Sequence, residues 1–210
     1  FYDEVNEFYR LDVGKKKIFC NLLYNSREFR GFFEYVGYAP SEFDTTQMIQ
    51  DEYKGKVCEN ANVETLVNNF PKELAYALAL IGCKDDYSIT PPWLLYNFPQ
   101  IENIIKMLCN TPCKDGCDYC RSVLDVHKNL KKIFGFDNFR TYNGEPLQEK
   151  AAKAAVDGKS LLAVFPTGGG KSITFQLPAL IAGKSAHGLT VVISPLQSLM
   201  KDQVDNLVEK

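Results

Sequence analysis

Apolar residues recur at helical spacing through the first half of the chain. In KKKIFCNLL, Ile18, Phe19, Leu22 and Leu23 share one helical face. The aromatic-rich stretch SREFRGFFEYVGY follows, with Ser26 placed to cap a helix and Gly37 placed to stop it. PKELAYALALIG opens with Pro71 at the first helical position and closes at Gly82. QIENIIKMLC repeats the spacing with Ile101, Ile104, Ile105 and Leu108. Between the last two, SITPPWLLYNFPQ holds three prolines in nine positions and predicts a loop or extended connector, in which Trp93 either docks a partner or anchors the core. Residues 1–108 thus predict a mainly α-helical accessory or connector region. After a Cys-rich segment, SVLDVHKNLKKIF again has helical spacing, and GEPLQEKAAKAAVDGK predicts a helix begun near Pro146 and ended at Gly158. The pattern then changes to a short apolar run, LLAVF, a glycine tract, a helix KSITFQLPALIAG and a second apolar run, LTVVIS. Strand, loop, helix and strand in that order predict an α/β layer. The division from the helical region is expected near 121–130. The chain shows no internal repeat.

Hydrophobic content of 45% and charged content of 24% are those of an ordinary globular chain. No apolar run is long enough for a membrane helix and no secretory signal opens the sequence, so no membrane partner and a cytoplasmic, intracellular location are expected. The chain starts at Phe1 and ends in a charged helical run, and both ends read as cut from a longer protein. Charge is uneven: residues 1–108 carry 11 Lys+Arg against 16 Asp+Glu, and residues 109–210 carry 13 against 10. The second half therefore suits phosphate or nucleic acid better.

PTGGGKS, with Thr167, Gly168, Gly169, Gly170, Lys171 and Ser172, lies between a strand and a helix. A phosphate cradle needs backbone N–H groups in a concavity that side chains would block. The helix behind it adds a partial positive charge, the Lys a mobile cation and the Ser a hydroxyl for Mg²⁺. Phe165 stands where the general phosphate-loop pattern has its first Gly, which narrows the match to the variant of superfamily 2 helicases.

With that variant in view, three stretches resemble the RecQ family of ATP-dependent DNA helicases. PTGGGKSITFQLPAL is similar to its motif I, TVVISPLQSLMKDQVDNL to motif Ia, and IFGFDNFR followed by Gln148 to motif 0. The resemblance covers about residues 131–210 and implies a truncated RecA-like α/β fold for 122–210. It also implies ATP and Mg²⁺ as cofactors, and a nucleoid-associated role in DNA repair and recombination. Lys171 and Ser172 would be catalytic, within a phosphate loop running from Thr167 to Ser172. Phe136 and Arg140 would sandwich the adenine, and Gln148 would read its edge. Ser194, Pro195, Leu196, Ser198, Lys201 and Gln203 would face DNA, single-stranded or with a single-stranded tail, in a 3′–5′ helicase. In one respect the sequence departs from the family pattern. Seven residues, TYNGEPL, separate Arg140 from Gln148, about five more than usual. No Walker-B acidic pair follows Ser172, so a further helicase half is expected to be required for motor action. Two other readings stand beside this one: a superfamily 2 ATPase that translocates without unwinding, and a non-enzymatic binding module with a vestigial loop.

Seven cysteines include four at Cys109, Cys113, Cys117 and Cys120, within residues 109–121. Short spacings with Gly116 in a turn suit a tetrahedral site, read as zinc, with an iron–sulfur cluster or four free thiols as alternatives. Cys20, Cys58 and Cys83 read as buried structural thiols. His127 reads as a packed core residue more than a ligand. Acidic residues Asp3, Glu4, Asp51, Glu52, Asp85 and Asp86 read as solvated positions more than nuclease carboxylates.

Overall fold

A computed structural model describes residues 11–40, 44–83, 91–194 and 197–208. Asp3, Glu4, Asp85, Asp86, Pro195 and Leu196, singled out above, lie outside them. The chain divides into two compact units, Phe1–Tyr119 and Cys120–Lys210. The Cys-rich segment from Cys109 to Tyr119 is part of the first unit.

The first unit is helical: α1 (Val13–Asn25), α2 (Arg27–Tyr35), α3 (Thr45–Glu52), α4 (Val63–Asn69), α5 (Pro71–Gly82), α6 (Pro92–Asn97) and α7 (Ile101–Cys109). Every residue of α5 from Leu74 to Gly82 is buried. A helix apolar on all sides must be enclosed, and α5 packs against α1, α4 and α7. From α1 come Ile18, Phe19, Leu22 and Leu23, the face read from the sequence. From α7 come Ile101, Ile104, Ile105 and Leu108. Each fully buried leucine here contributes about 1.5–3 kcal/mol. Gly82 lets the core close. A Cβ there would stand 2.8 Å from Lys15 Cδ and 2.9 Å from the Tyr53 hydroxyl. That hydroxyl donates to the Leu78 carbonyl at 2.8 Å, and burial pushes its pKa well up.

The proline-rich stretch is not simply a connector. Pro92 sits in the first turn of α6, where its missing N–H costs no helical bond. Trp93 is half exposed, with its ring 6.4 Å from that of Tyr76. Asp51 and Glu52 close α3, and Asp51 accepts from Gln47 at 3.0 Å, a role internal to the helix.

The second unit begins within the short helix α8 (Asp118–Val123), which joins the two. Asp125 then caps α9 (Val126–Asn129) by accepting from Lys128 N at 2.7 Å. A π-helical turn over Leu130–Phe134 continues it to Gly135. His127 does not join a core. Its side chain is 44% exposed, pairs with Glu149 at 2.9 Å and meets the Phe139 ring edge-on. α10 (Leu147–Val156) buries Ala151, Ala152 and Val156 and packs on α11 (Lys171–Ala186), which buries Leu177 and Ile181. The small alanines allow the close approach. α12 (Gln197–Val208) completes the unit.

The expected α/β layer does not form as a sheet among the described residues. Residues 161–165 and 189–194 are not assigned to strands, and the one β-bridge among the described residues is Tyr142 to Glu145. Leu162 is 91% exposed and Ile193 92%. A strand is held by the neighbour that takes its N–H and C=O groups, and no sheet ladder forms at either run among the described residues. Their near-continuous apolar character suits strands covered on both faces.

Candidate functional site

The glycine tract turns tightly into α11. Gly168 and Gly170 have φ of 72° and 66°, left-handed values that favour glycine. A Cβ on Gly169 would stand 2.8 Å from the Pro166 carbonyl oxygen, and one on Gly170 2.7 Å from Gln148 Nε2. The Gly169 N–H donates to the Pro166 carbonyl at 3.0 Å. No side chain caps the N-terminus of α11, and among the described residues no acceptor takes the N–H of Gly170, Lys171 or Ser172. Orphan donors at the positive end of a sixteen-residue helix favour an anion. Lys171 is exposed, and no carboxylate among the described residues pairs with it.

Residues 140–148 hold the outside of this loop. The Arg140 guanidinium donates to the Gly168 carbonyl at 3.0 Å, the Tyr142 hydroxyl to that of Gly169, and Gln148 Nε2 to that of Gly170 at 2.9 Å. The Gln148 carbonyl oxygen accepts from the Arg140 N–H at 2.8 Å. Both ends of the Gln148 amide are thus engaged, and the residue is 2% exposed. An adenine edge would have to replace one of those partners. Phe136 is about half exposed.

Residues 145–210 match the DEAD/DEAH box helicase family. ATP-dependent DNA helicase Q5 of Rattus norvegicus is 50% identical over 84 residues, 40% of this chain and 8% of that protein. ATP-dependent helicase SGS1 of Saccharomyces cerevisiae is 44% identical over 86 residues, 41% of this chain and 6% of its own length. ATP-dependent DNA helicase RecQ of Haemophilus influenzae is 50% identical over 78 residues, 37% of this chain and 11% of its own. The C-terminal stretch of this chain is thus similar to RecQ-type helicases. The matched segments span a small fraction of the length of these relatives. No solved structure matches the chain.

Within the matched 145–210 segment, Ser172 Oγ accepts from Gln203 Nε2 at 3.1 Å, and Gln203 Oε1 accepts from Gln176. Gln203, read from the sequence as a DNA contact, is therefore tied to Ser172 at the end of the glycine tract. Lys201 lies exposed on α12, Ser194 is partly exposed, and Ser198 is within α12. Thr167 is exposed at the head of the loop.

The sulfur cluster lies outside the matched 145–210 segment. It corrects the cysteine quartet read from spacing. Sγ atoms of Cys58, Cys113, Cys117 and Cys120 lie within 4.8 Å of one another, and Cys109 is not among them. Cys58 reaches the group because its N–H donates to the Leu108 carbonyl at 2.7 Å. Cys120 is placed by α8, one turn beyond Cys117. The Cys58 and Cys117 sulfurs are 3.8 Å apart, about the edge of a tetrahedron of sulfurs with metal–sulfur bonds near ~2.3 Å. Cys113 Sγ accepts from the Cys117 N–H at 3.2 Å and from Asn60 Nδ2 at 3.5 Å. Cys109 points elsewhere. It is fully buried, donates to the Lys56 carbonyl at 3.4 Å, and burial pushes its thiol up to about 12. Spacing favoured Cys109 over Cys58 because Cys58 is far away in sequence, and no local motif marks it. Tyr142 carried a signal not used above, an Asn-Gly pair beside it.

Proposed function

We propose that this chain carries the ATP-binding part of an ATP-dependent DNA helicase of RecQ type. The observation that carries the reading is the glycine tract, with its carbonyls bonded to Arg140, Tyr142 and Gln148 and the N–H groups of Gly170, Lys171 and Ser172 without acceptors among the described residues at the start of α11. Lys171 would neutralise charge on the terminal phosphoryl group, and Ser172 Oγ would ligate Mg²⁺ beside the bond from Gln203. Thr167 and Gly168–Gly170 would wrap the phosphates, with Phe136 and Arg140 flanking the adenine. Gln148 would meet the adenine edge by exchanging a partner within the loop. DNA, single-stranded or with a single-stranded tail, is the partner this family reading implies. Exposed Lys201 fits a backbone phosphate contact, and Ser194, Pro195, Leu196, Ser198 and Gln203 go with it in the same family reading. A RecA-like layer with 161–165 and 189–194 as strands, and 3′–5′ unwinding by the whole protein, go with the same reading.

A separate observation favours zinc at Cys58, Cys113, Cys117 and Cys120. Four sulfurs within 4.8 Å suit one tetrahedral ion. An iron–sulfur cluster places its thiolates on different irons, farther apart.

Equilibrium binding of labelled ATP with Mg²⁺ tests the nucleotide reading. Lys171→Ala should weaken binding about ten- to a hundredfold, the effect of removing a charge-assisted contact. Equal binding by both proteins would leave a vestigial loop.

A further inference from the structure

The segment between Arg140 and Gln148, longer than the resemblance to the RecQ family implies, is folded. Tyr142 and Glu145 exchange both N–H···O=C bonds at 2.8 Å. Asn143 and Gly144 form the turn with φ of 49° and 80°, the left-handed pair that an Asn-Gly hairpin uses. Glu145 pairs with Lys150 of α10 at 2.6 Å, which fixes the base of the hairpin. The turn presents Tyr142 to the glycine tract. Its ring lies 5.2 Å from that of Phe165, and its hydroxyl donates to the Gly169 carbonyl.

A peptide unit is planar and trans, so a C=O and the N–H that follows it point in opposite directions. Fixing the Gly169 carbonyl on the outer side therefore aims the Gly170 N–H inward. Three consecutive glycines are otherwise among the least ordered backbones a chain can have. We propose that the 141–147 hairpin is a strap that preorganises the phosphate loop, with Tyr142 as a positioning residue for phosphate binding. This rests on the reading that the loop binds ATP. The extra residues are then the part of this chain that supplies Tyr142.

Removing the hydroxyl alone tests the strap, since Tyr142→Phe keeps the ring against Phe165. Binding of ATP, ADP and AMP with Mg²⁺ is measured for wild type, Lys171→Ala, Tyr142→Phe and Gly144→Val. Gly144→Val strains the turn at φ 80° without touching the loop. The strap predicts that Tyr142→Phe and Gly144→Val each weaken ATP binding about five- to tenfold, with a smaller loss for ADP and least for AMP. The nucleotide-free melting temperature of Tyr142→Phe should stay within about 2 °C of wild type. Wild-type affinity in Tyr142→Phe, with binding lost in Lys171→Ala, overturns the strap and leaves the ATP reading standing. Equal losses for all three nucleotides also overturn it, since they mark a general weakening of the fold. Wild-type binding no tighter than that of Lys171→Ala overturns the ATP reading and the strap with it.

Discussion

Replacing Cys58 with serine separates the folded cysteine cluster from the quartet that spacing suggests. Structural zinc in small Cys and His sites contributes apparent free energies of about 10–16 kcal/mol. One ligand in four is then worth about 2.5–4 kcal/mol, or roughly seventy- to a thousandfold in zinc affinity. Cys58→Ser should lose that much, because its backbone stays tied to Leu108 while the thiolate is gone. Cys109→Ser should keep zinc within about twofold, since its sulfur faces the Lys56 carbonyl and not the cluster. Its cost should be to folding instead, about 1–2 kcal/mol for placing a hydroxyl at a fully buried position. Metal content per chain, with zinc competition against a chromogenic chelator, reads both effects on protein purified without oxygen. Zinc retained in Cys58→Ser and lost in Cys109→Ser would refute the assignment.

Two further outcomes test the packing. Leu78→Ala removes a side chain enclosed on all sides of α5 and should destabilise the first unit by about 2–5 kcal/mol in denaturant unfolding. Glu149→Gln addresses pH. Hydrogen bonds from Lys153 and His127 hold the Glu149 carboxyl below its ordinary 4.5. Its contribution is therefore full above pH 4.5 and lost as the pH falls through the lower folded value. The variant should show a flatter acid limb of stability below that pH, by less than about 1 kcal/mol because the pair is partly exposed.

The helical parts were legible where local rules and packing agree. Pro71 and Gly82 mark the two ends of α5, and Ile101, Ile104, Ile105 and Leu108 lie buried along α7 as their spacing implies. Prolines misled at 91–92, because Pro92 begins a helix as readily as it interrupts one. Three of the four clustered cysteines could be read from adjacent positions. The fourth could not, since Cys58 arrives through the tertiary contact with the end of α7. His127 followed an apolar periodicity yet lies at the surface against Glu149, because one polar pair outweighed its position on the helix. The glycine tract was legible as the turn that opens α11. What holds its carbonyls was not, because Arg140, Tyr142 and Gln148 reach it from 20 or more positions upstream.

Amide NMR of the chain titrated with Mg²⁺ and ATP tests the proposed nucleotide binding most directly. The Gly170, Lys171 and Ser172 N–H groups have no acceptor among the described residues, and phosphate oxygens should supply one. Large downfield amide-proton shifts at those three residues, abolished in Lys171→Ala, are the predicted result. Saturating ATP that leaves those amides unmoved, or moves only residues elsewhere, would contradict it.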